Sequence, residues 1–577
     1  MKVKLARTAG FCMGVRRAME IVLAETNKRR EGPLFTFGPL IHNKQVLDLL
    51  SSKGVRPVDG LDGLKKGVIV VRAHGIPPQK RKEIRNTGLK TIDATCPRVL
   101  RVQAIIRAHT KKGYTAIIVG DEDHAEVIGL MGYAAGPVHL IRTVKDVFEL
   151  PHIDKLFVVA QTTQNKENFG QVVKALKERF PDVLVFDTIC DATRVRQEEV
   201  RSFAGHVDAV VVVGGYHSGN TQRLAQVSKK TGLPTFHVET EKDLDKEKLA
   251  GMEVIGLTAG ASTPNWMIKN VVKEIEGIRG RRESPLSLTI KRALKFLVLS
   301  NLLVACGAFS LAYAAAILSE RTPDLEFPVL TFLYIYAMHV LNRFLDKGAS
   351  AYNDPERAAF LRKHRFLLII TGTGAIIAGL ALAHDIGMVT FIALGVVSLL
   401  GIIYSLPLIP QKFQDKYPYS KIKDIPGSRS LSESLAWVTL ITVLPMLEMG
   451  SIVWPAAIIS FLAVFLISYV RSALFDIFQV QGDLIVGTET LPIVLGEKRT
   501  LSLLKLILLI TGILFAGGPL LGLTGYFSHV MLIPLLGLSF CLKAYERRWL
   551  YPGINFEALV EANFLLAGFL AIIWQVL

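Results

Sequence analysis

Three cysteines in the first half of the chain occur in the same kind of local sequence. Cys12 follows a glycine-flanked turn that leads into a helix, and Cys96 and Cys190 each stand between a strand end and a helix start. Three thiolates are an incomplete set for a closed four-iron cluster or a structural zinc, so one coordination position would remain open to a substrate. A free cysteine is often only a small buried hydrophobe. The threefold recurrence of one setting favours a shared metal site.

A second set of reactive side chains also follows predicted strands. His74 and His124 come after two of them, Ser218 and Asn220 after a third, and Ser262 after the last. Hydroxyl, amide, imidazole and backbone N–H donors placed before a helix N-terminus suit a phosphate group. Each instance taken alone is equally typical of an ordinary turn or helix cap.

The elements that must position these residues form an α/β pattern. Six short apolar runs predict strands: Leu34–Gly38, Val68–Ala73, Thr115–Gly120, Leu156–Gln161, Ala209–Gly214 and Val254–Thr258. Amphipathic stretches such as Asn165–Arg179 and Thr221–Thr231 predict helices between them. Strands that alternate with helices indicate mostly parallel sheets, and ligands of such folds collect beyond the carboxyl ends of the strands.

The composition changes along the 577 residues. Apolar runs are short up to about Gly280, and long apolar segments dominate from about Leu294, so we expect a soluble part followed by a membrane-embedded part. The first residues carry no long apolar stretch, which predicts no signal peptide and a cytosolic start. Five cysteines, an odd number, argue against a disulfide framework. The net charge of +17 resides largely in loops between apolar segments, and no motif of a nucleic-acid-binding fold is present.

The first half resembles the LytB/IspH family of 4-hydroxy-3-methylbut-2-enyl diphosphate reductases over residues 1–278. The motifs that carry the resemblance are Gly10–Val15, His42-Asn43, Ala73-His74-Gly75, Asp93–Pro97, His124-Ala125-Glu126, Gln161-Thr162-Thr163, Ser218–Thr221 and Thr258–Pro264. The resemblance implies an α/β trefoil of three lobes around a [4Fe–4S] cluster. It also implies that Cys12, Cys96 and Cys190 ligate three irons and that the substrate hydroxyl binds the fourth.

The same resemblance implies roles for the polar residues. The diphosphate would be held by His42, His74, His124, Ser218, Gly219, Asn220 and Ser262. Glu126 would supply protons to the departing hydroxyl, and Thr162 would position that hydroxyl. His124 is predicted to be catalytic as well. Gly219 stands where some members of the family have serine, which weakens one contact. A ferredoxin or flavodoxin is implied as the electron donor.

The second half is predicted to cross the membrane about nine times, after a basic linker at residues 279–287. The spans are centred near Ala305, Tyr334, Gly374, Val396, Ile441, Val464, Gly512, Leu535 and Leu570. Basic residues concentrate in alternate loops, which the positive-inside rule places in the cytosol. We therefore expect a multi-pass protein of the inner (cell) membrane with its N-terminal domain in the cytoplasm.

Acidic residues near two span ends give this half its chemistry. Asn342 and Asp346 end the second predicted span, and Asp476 and Asp483 end the sixth. Acids on separate helices beside basic loops indicate Mg²⁺ that grips a diphosphate, although acids at solvated helix ends are a serious alternative. Residues 288–577 resemble the UbiA superfamily of intramembrane prenyltransferases, which implies Mg²⁺ at these motifs and prenyl transfer to an acceptor.

Departures from the UbiA pattern leave an alternative open. Ser350 and Gln479 replace acids of the two motifs, and Asp354 is a candidate to compensate. The membrane half could instead be a non-catalytic anchor or lipid-binding module. The first half could instead be a cluster-based sensor, or another lyase or synthase with an open cluster, although its full set of diphosphate-type residues argues against this.

Overall fold

The computed structural model divides the chain into two compact units, Met1–Glu283 and Ser284–Leu577. It describes residues 1–27, 32–64, 66–278, 285–345, 354–405, 425–448, 451–486, 490–547, 549–550 and 552–577. Most of the predicted linker at 279–287, together with Asp346 and Ser350, lies outside the described residues.

Three four-stranded parallel sheets form the first unit, and each has the same plan of two central and two edge strands. The strands are β1 Lys2–Leu5, β2 Leu34–Phe37, β3 Val55–Val58, β4 Val68–Val71, β5 Lys90–Asp93, β6 Thr115–Val119, β7 Val138–Ile141, β8 Leu156–Ala160, β9 Leu184–Phe186, β10 Ala209–Val213, β11 Thr235–Val238 and β12 Val254–Ala259. The sheet orders are β1-β12-β10-β11, β3-β2-β4-β5 and β7-β6-β8-β9. The six strands predicted from the sequence are confirmed, and they are the six central strands.

Helices connect the strands of this unit. They are α1 Met13–Asn27, α2 Lys44–Ser52, α3 Pro78–Asn86, α4 Pro97–Thr110, α5 Ala125–Met131, α6 Val144–Glu149, α7 Lys166–Arg179, α8 Asp191–Arg201, α9 Gly219–Lys230, α10 Lys246–Leu249 and α11 Asn265–Gly277, with a 3₁₀ turn at Glu241–Asp243. Every residue of β2, β4, β6, β8 and β10 is buried, because helices cover both faces of each sheet. The carboxyl ends of the central strands remain as the places where polar loops emerge.

The second unit is all helical. Its helices are α12 Pro285–Leu299, α13 Leu302–Leu318, α14 Glu326–Leu345, α15 Pro355–Lys363, α16 Arg365–Ile386, α17 Met388–Ser405, α18 Ser428–Val438, α19 Leu444–Leu447, α20 Trp454–Val486, α21 Leu491–Leu495, α22 Glu497–Leu520, α23 Phe527–Val530, α24 Leu532–Glu546 and α25 Ile554–Val576. A π-helical turn at Thr439–Val443 joins α18 to α19.

Six helical segments in the described part of the chain are long and apolar enough to cross a membrane. A seventh span is possible if the pair Thr289–Leu299 and Leu302–Leu318, bent by 75°, counts as one. This unit is therefore a multi-pass membrane domain. The segments predicted around Tyr334 and Val396 are helical, in α14 and α17, but are not among the six, so nine spans stays a prediction.

Candidate active site

Each of the three cysteines occupies the same place in its own lobe. The backbone N–H of each donates to the carbonyl two residues beyond a central strand, from Cys12 to Ala261 (3.2 Å), from Cys96 to Ala73 (2.9 Å) and from Cys190 to Thr162 (2.8 Å). Each cysteine directly precedes a helix, namely α1, α4 or α8. The strand-to-helix junctions that the sequence predicted are therefore equivalent in the fold.

The helix N-termini direct backbone N–H groups at the sulfurs. The N–H of Val15 donates to Cys12 Sγ at 3.5 Å, and the first turns of α4 and α8 do the same for Cys96 and Cys190. Burial nevertheless raises the pKa of the Cys96 and Cys190 thiols, and the charges of the neighbouring cysteines raise it further. Three thiolates this close repel one another unless a cation compensates them. The donor set thus fits a bound cluster of iron.

Three histidines from three different loops meet at one point. The ring centroids of His42 and His74 lie 4.8 Å apart, and His124 lies 5.8 Å and 5.4 Å from them. Burial lowers the pKa of His42, lowers that of His74 well below its usual value, and lowers that of His124 to about 4. Positive charge on the neighbouring rings and on Arg72 adds to this. All three imidazoles are therefore neutral at physiological pH.

Several buried polar atoms in this cluster have no hydrogen-bond partner among the described residues. They are His42 Nε2, His74 Nδ1 and Asn220 Nδ2. The N–H of Glu126 donates to His124 Nδ1 (3.1 Å), so the proton of the neutral ring resides on Nε2. A buried donor without a partner costs about 1–3 kcal/mol. An anion with many acceptor oxygens would satisfy these atoms together, which is the fit expected for a diphosphate.

The N-terminus of α9 completes the anion site. Ser218 caps this helix, and both Ser218 and Asn220 are buried. A Cβ on Gly219 would lie 3.8 Å from the His124 ring, so the helix start and the histidines are neighbours and a serine would fit there. Ser262 is also buried, and its hydroxyl donates to the carbonyl of His42 at 3.2 Å. The structure brings all the predicted diphosphate ligands into this neighbourhood.

Glu126 lies in the first turn of α5 with only 1% of its surface exposed. Its carboxylate accepts the N–H of Thr162 at 2.7 Å and the Thr162 hydroxyl at 2.8 Å. Burial raises the pKa of Glu126, and the Thr162 bonds oppose this only in part. Glu126 is therefore not a solvated acid at the start of the helix. Since Thr162 also accepts the Cys190 N–H through its carbonyl, this acid adjoins the cysteine site.

The sequence reasoning missed two arginines beside the histidines. Arg72 directly follows β4 and depresses the pKa of His42 and His74. Arg223 on α9 donates to both oxygens of Asp121, at 2.7 and 3.0 Å, and to the carbonyl of Thr163 at 2.7 Å. Arg72 stands next to the predicted Ala73-His74-Gly75 motif, which is the signal that could have found it. The partners of Arg223 lie too far away in sequence to have been predicted.

In the membrane unit, Asp476 and Asp483 occupy one side of α20 and are buried, with 3% and 0% of their surface exposed. Arg429 Nη1 lies 3.4 Å from Asp476 and 3.5 Å from Asp483, and the Ser430 hydroxyl donates to Asp476 at 2.7 Å. Asp483 lies in the last described turn of α20, but both carboxylates are buried, so acids exposed to solvent at a helix end do not describe this pair. The two buried carboxylates, which now face the Arg429 guanidinium, are oxygen donors of the kind that bind Mg²⁺.

The structure describes only some of the other residues of the predicted magnesium site. Asn342 is half-buried near the end of α14, and Asp346 lies outside the described residues. Asp354 caps α15 by accepting the N–H of Arg357 at 2.9 Å, and its second oxygen pairs with Arg357 Nε at 3.0 Å. Both oxygens of Asp354 are thus engaged, which argues against its compensating for Ser350.

A second polar layer lies one helical turn deeper in the bundle. Glu433 follows Ser430 by three residues on α18, and Arg471 precedes Asp476 by five on α20. Arg471 donates to Glu433 and to Glu561, in each case at 2.6 Å, and His339 lies 3.4 Å from Glu433. Such charges inside a membrane domain are paired because an isolated one would be costly. No pattern in the sequence indicated this network.

These features define the first unit as a three-lobed α/β protein in which three cysteines, each directly before a helix, adjoin a cluster of three histidines. The model for the LytB protein family matches residues 3–276, and the model for the UbiA prenyltransferase family matches residues 301–553. The chain belongs to the LytB family, with a UbiA family domain fused behind it.

Curated relatives match the first unit along their whole length. The 4-hydroxy-3-methylbut-2-enyl diphosphate reductase of Geobacter sulfurreducens is 41% identical over 283 residues, which is 49% of this chain and 100% of the relative. The reductase of the same name from Geotalea daltonii is 43% identical over 278 residues, or 48% of this chain and 98% of the relative.

Solved structures match each half separately. A structure of (E)-4-hydroxy-3-methyl-but-2-enyl diphosphate reductase is 41% identical, covers 48% of this chain and 100% of its own, and has a TM-score of 0.39. A UbiA homologue from Archaeoglobus fulgidus bound to DMAPP and Mg²⁺ is 19% identical, covers 49% of this chain and 100% of its own, and has a TM-score of 0.34.

Proposed function

We propose that the first unit reduces 4-hydroxy-3-methylbut-2-enyl diphosphate to isopentenyl and dimethylallyl diphosphate in isoprenoid biosynthesis. The observation that carries this proposal is the cluster of buried His42, His74 and Asn220 atoms that have no partner in the described part of the chain, next to the buried acid Glu126. The reaction breaks the C–O bond of the hydroxyl group, consumes two electrons and two protons, and releases water. The names of relatives at 41% and 43% identity agree with it.

The diphosphate site works with neutral donors. Because the histidine pKa values are depressed, the site is uncharged at these rings before the substrate arrives. Diphosphate oxygens would accept from His42 Nε2, His124 Nε2 and the Asn220 amide, and from the N–H groups at the start of α9. An anion among these rings raises their pKa, so that they can take up protons as it binds. This fixes the allylic end of the substrate beside Glu126.

Cys12, Cys96 and Cys190 would hold a [4Fe–4S] cluster with one iron left for the substrate. Such a cluster supplies electrons one at a time at low potential. A ferredoxin or flavodoxin is the proposed donor. Burial raises the pKa of Glu126. Its protonated form would give a proton to the departing hydroxyl, and Thr162 would orient both groups.

The test is turnover of the substrate by the full chain, purified without oxygen and reduced with methyl viologen. We expect Cys12→Ser to lose activity, because it removes one iron ligand. Glu126→Gln should have strongly reduced activity and an unchanged iron content. A fully loaded protein that does not consume the substrate would contradict the proposal and favour a sensor.

We propose for the membrane unit a Mg²⁺-dependent transfer of a prenyl group from its diphosphate to an acceptor. Support comes from the UbiA family match and from the buried pair Asp476 and Asp483 facing Arg429. Asn342 and Asp346 on α14 and beyond it would complete the metal site. The proposed location is the inner membrane with the first unit in the cytoplasm, and the loops rich in Lys and Arg support that orientation.

A second candidate function is a membrane anchor or lipid-binding module, because Ser350 and Gln479 replace expected acids. Mg²⁺-dependent consumption of radiolabelled dimethylallyl or geranyl diphosphate by the full chain in native membranes separates the two. Asp476→Asn should abolish that consumption if the unit is a transferase. A rate of diphosphate consumption that changes neither on removal of Mg²⁺ nor in Asp476→Asn would favour the anchor.

A further inference from the structure

Each helix that begins at a cysteine carries an arginine that reaches the loop of another cysteine. On α1, Arg17 donates to the carbonyl of Thr95 at 3.1 Å and to that of Asp93 at 3.4 Å, both in the Cys96 loop. The contact joins α1 to the loop that follows β5, and none of its residues belongs to the proposed diphosphate site.

The other two helices repeat this pattern and close a ring. On α4, Arg98 donates at 2.6 Å to Asp191, the residue after Cys190. On α8, Arg196 donates at 2.6 Å to the carbonyl of Gly10 in the loop that carries Cys12. Thus α1, which follows Cys12, is bonded to the loop that precedes Cys96. Helix α4, which follows Cys96, is bonded to the first residue of α8, and α8, which follows Cys190, is bonded to the loop that precedes Cys12.

Burial and a second contact make the last link the firmest. Arg196 is 3% exposed, although it carries a full charge. From the same helix, the Glu199 carboxylate accepts the N–H groups of Arg7 and Thr8, at 2.5 and 2.9 Å. Hydrogen bonds of charged groups to backbone atoms are stronger than neutral ones, so α8 grips the Cys12 loop at both of its ends.

We propose that Arg17 and Arg196 form a clasp that holds the three cysteine loops in one arrangement and thereby retains the cluster, whereas the Arg98–Asp191 pair, with side chains 43% and 59% exposed, contributes little. The inference rests on the proposed cluster site. A cluster loses iron when one cysteine loop moves away from the other two, and each arginine opposes that motion for the loop of a different lobe. These are positioning residues, because none is proposed to touch the substrate.

The experiment compares cluster loss in the full chain. Arg196→Gln and Arg17→Gln are purified without oxygen, and decay of the visible absorption of the cluster is followed after addition of an iron chelator. Arg201→Gln is the matched control, since Arg201 also lies on α8, carries the same charge and pairs only at the surface, at 2.8 Å from Glu167. Thermal unfolding of each cluster-free protein reports on the fold alone.

We expect both clasp variants to lose the cluster about tenfold faster than wild type, the factor that corresponds to about 1.4 kcal/mol. Arg196→Lys should recover part of the difference, because an ammonium can still reach one carbonyl. The control should decay at the wild-type rate, and the cluster-free proteins should unfold at similar temperatures. Decay of Arg196→Gln and Arg17→Gln at the rate of the control would overturn the clasp, as would equal destabilisation of the cluster-free fold. Failure of the proposed cluster site looks different, because wild type itself would then bind no cluster. A cluster-loaded wild type without turnover would contradict only the proposed reaction.

Discussion

Replacing Glu126 by glutamine tests the proposed proton donor with little disturbance to its surroundings. The amide oxygen of glutamine can still accept the N–H of Thr162, which now donates at 2.7 Å. The Thr162 hydroxyl, which donates at 2.8 Å, can rotate and accept from the amide nitrogen instead. Two hydrogen bonds to Thr162 therefore remain in the variant, and the substitution removes only the transferable proton.

The expected loss is the contribution of a positioned general acid, about 10²–10⁴ in rate. This corresponds to about 3–5 kcal/mol in the activation barrier. The KM for the diphosphate should change little, because the anion site consists of other residues. The assay is anaerobic oxidation of reduced methyl viologen at saturating substrate, with the iron content measured on the same sample.

The pH dependence adds an independent check. Burial raises the pKa of Glu126 in the folded protein, so the acid form persists to higher pH than in an ordinary glutamate, and turnover should fall as pH rises through that pKa. The same sign holds for stability. The folded state binds the extra proton, so the contribution of Glu126 to stability is present at low pH and is lost as pH rises through the folded pKa. Glutamine removes that dependence.

Two results would refute this reasoning. Turnover of Glu126→Gln within a few fold of wild type would mean that the proton comes from elsewhere. A loss of iron or a large fall in unfolding temperature would mean that the carboxylate is structural. Thr162→Ser is the matched control, because it keeps the hydroxyl and should retain most of the activity.

Three further outcomes are expected. Zn²⁺ should inhibit in competition with the diphosphate, because one ring nitrogen from each of the three histidines lies within 4.8 Å of the others; inhibition kinetics at varied substrate check this. Gly14→Ala should lower the iron content per chain, since the new Cβ would lie 2.5 Å from Cys96 Sγ; iron analysis and the visible spectrum report it. Arg471→Ala should destabilise the membrane unit by about 3–5 kcal/mol, because the carboxylates of Glu433 and Glu561 lose their buried partner; thermal unfolding in detergent measures it.

The central strands were predictable from sequence and the edge strands were not, for one physical reason. A strand with neighbours on both sides and helices on both faces must be apolar throughout, as Ala209–Val213 is. Edge strands such as Lys2–Leu5 and Val55–Val58 carry charged residues or proline, and part of their surface is exposed. Their sequences are those of ordinary loops until a central strand offers its hydrogen bonds, so only the tertiary fold identifies them.

The candidate site divides in the same way. The histidines lie in loops that leave the central strands β2, β4 and β6, whereas the cysteines follow the edge strands β1, β5 and β9 and donate to loops that leave central strands. Residue type beside a strand end was enough to single out both sets. Arg196 and Gly10 are far apart in sequence, as are Arg223 and Asp121, and their pairing depends on how the three lobes meet. An arginine on an amphipathic helix is usually a solvated surface group, so the sequence offered no reason to single these out.

The membrane unit shows what helix periodicity can and cannot supply. A spacing of seven residues places Asp476 and Asp483 on one side of a helix, and this follows from the sequence alone. That Arg429 faces both acids requires a second helix at a particular rotation. A guanidinium between two buried carboxylates neutralises part of their charge, and it is also the side chain best suited to bind a diphosphate. In the proposed transferase, Arg429 would pair with the two acids in the absence of substrate and would be available to bind a diphosphate, while Asp476 and Asp483 would hold the metal ion.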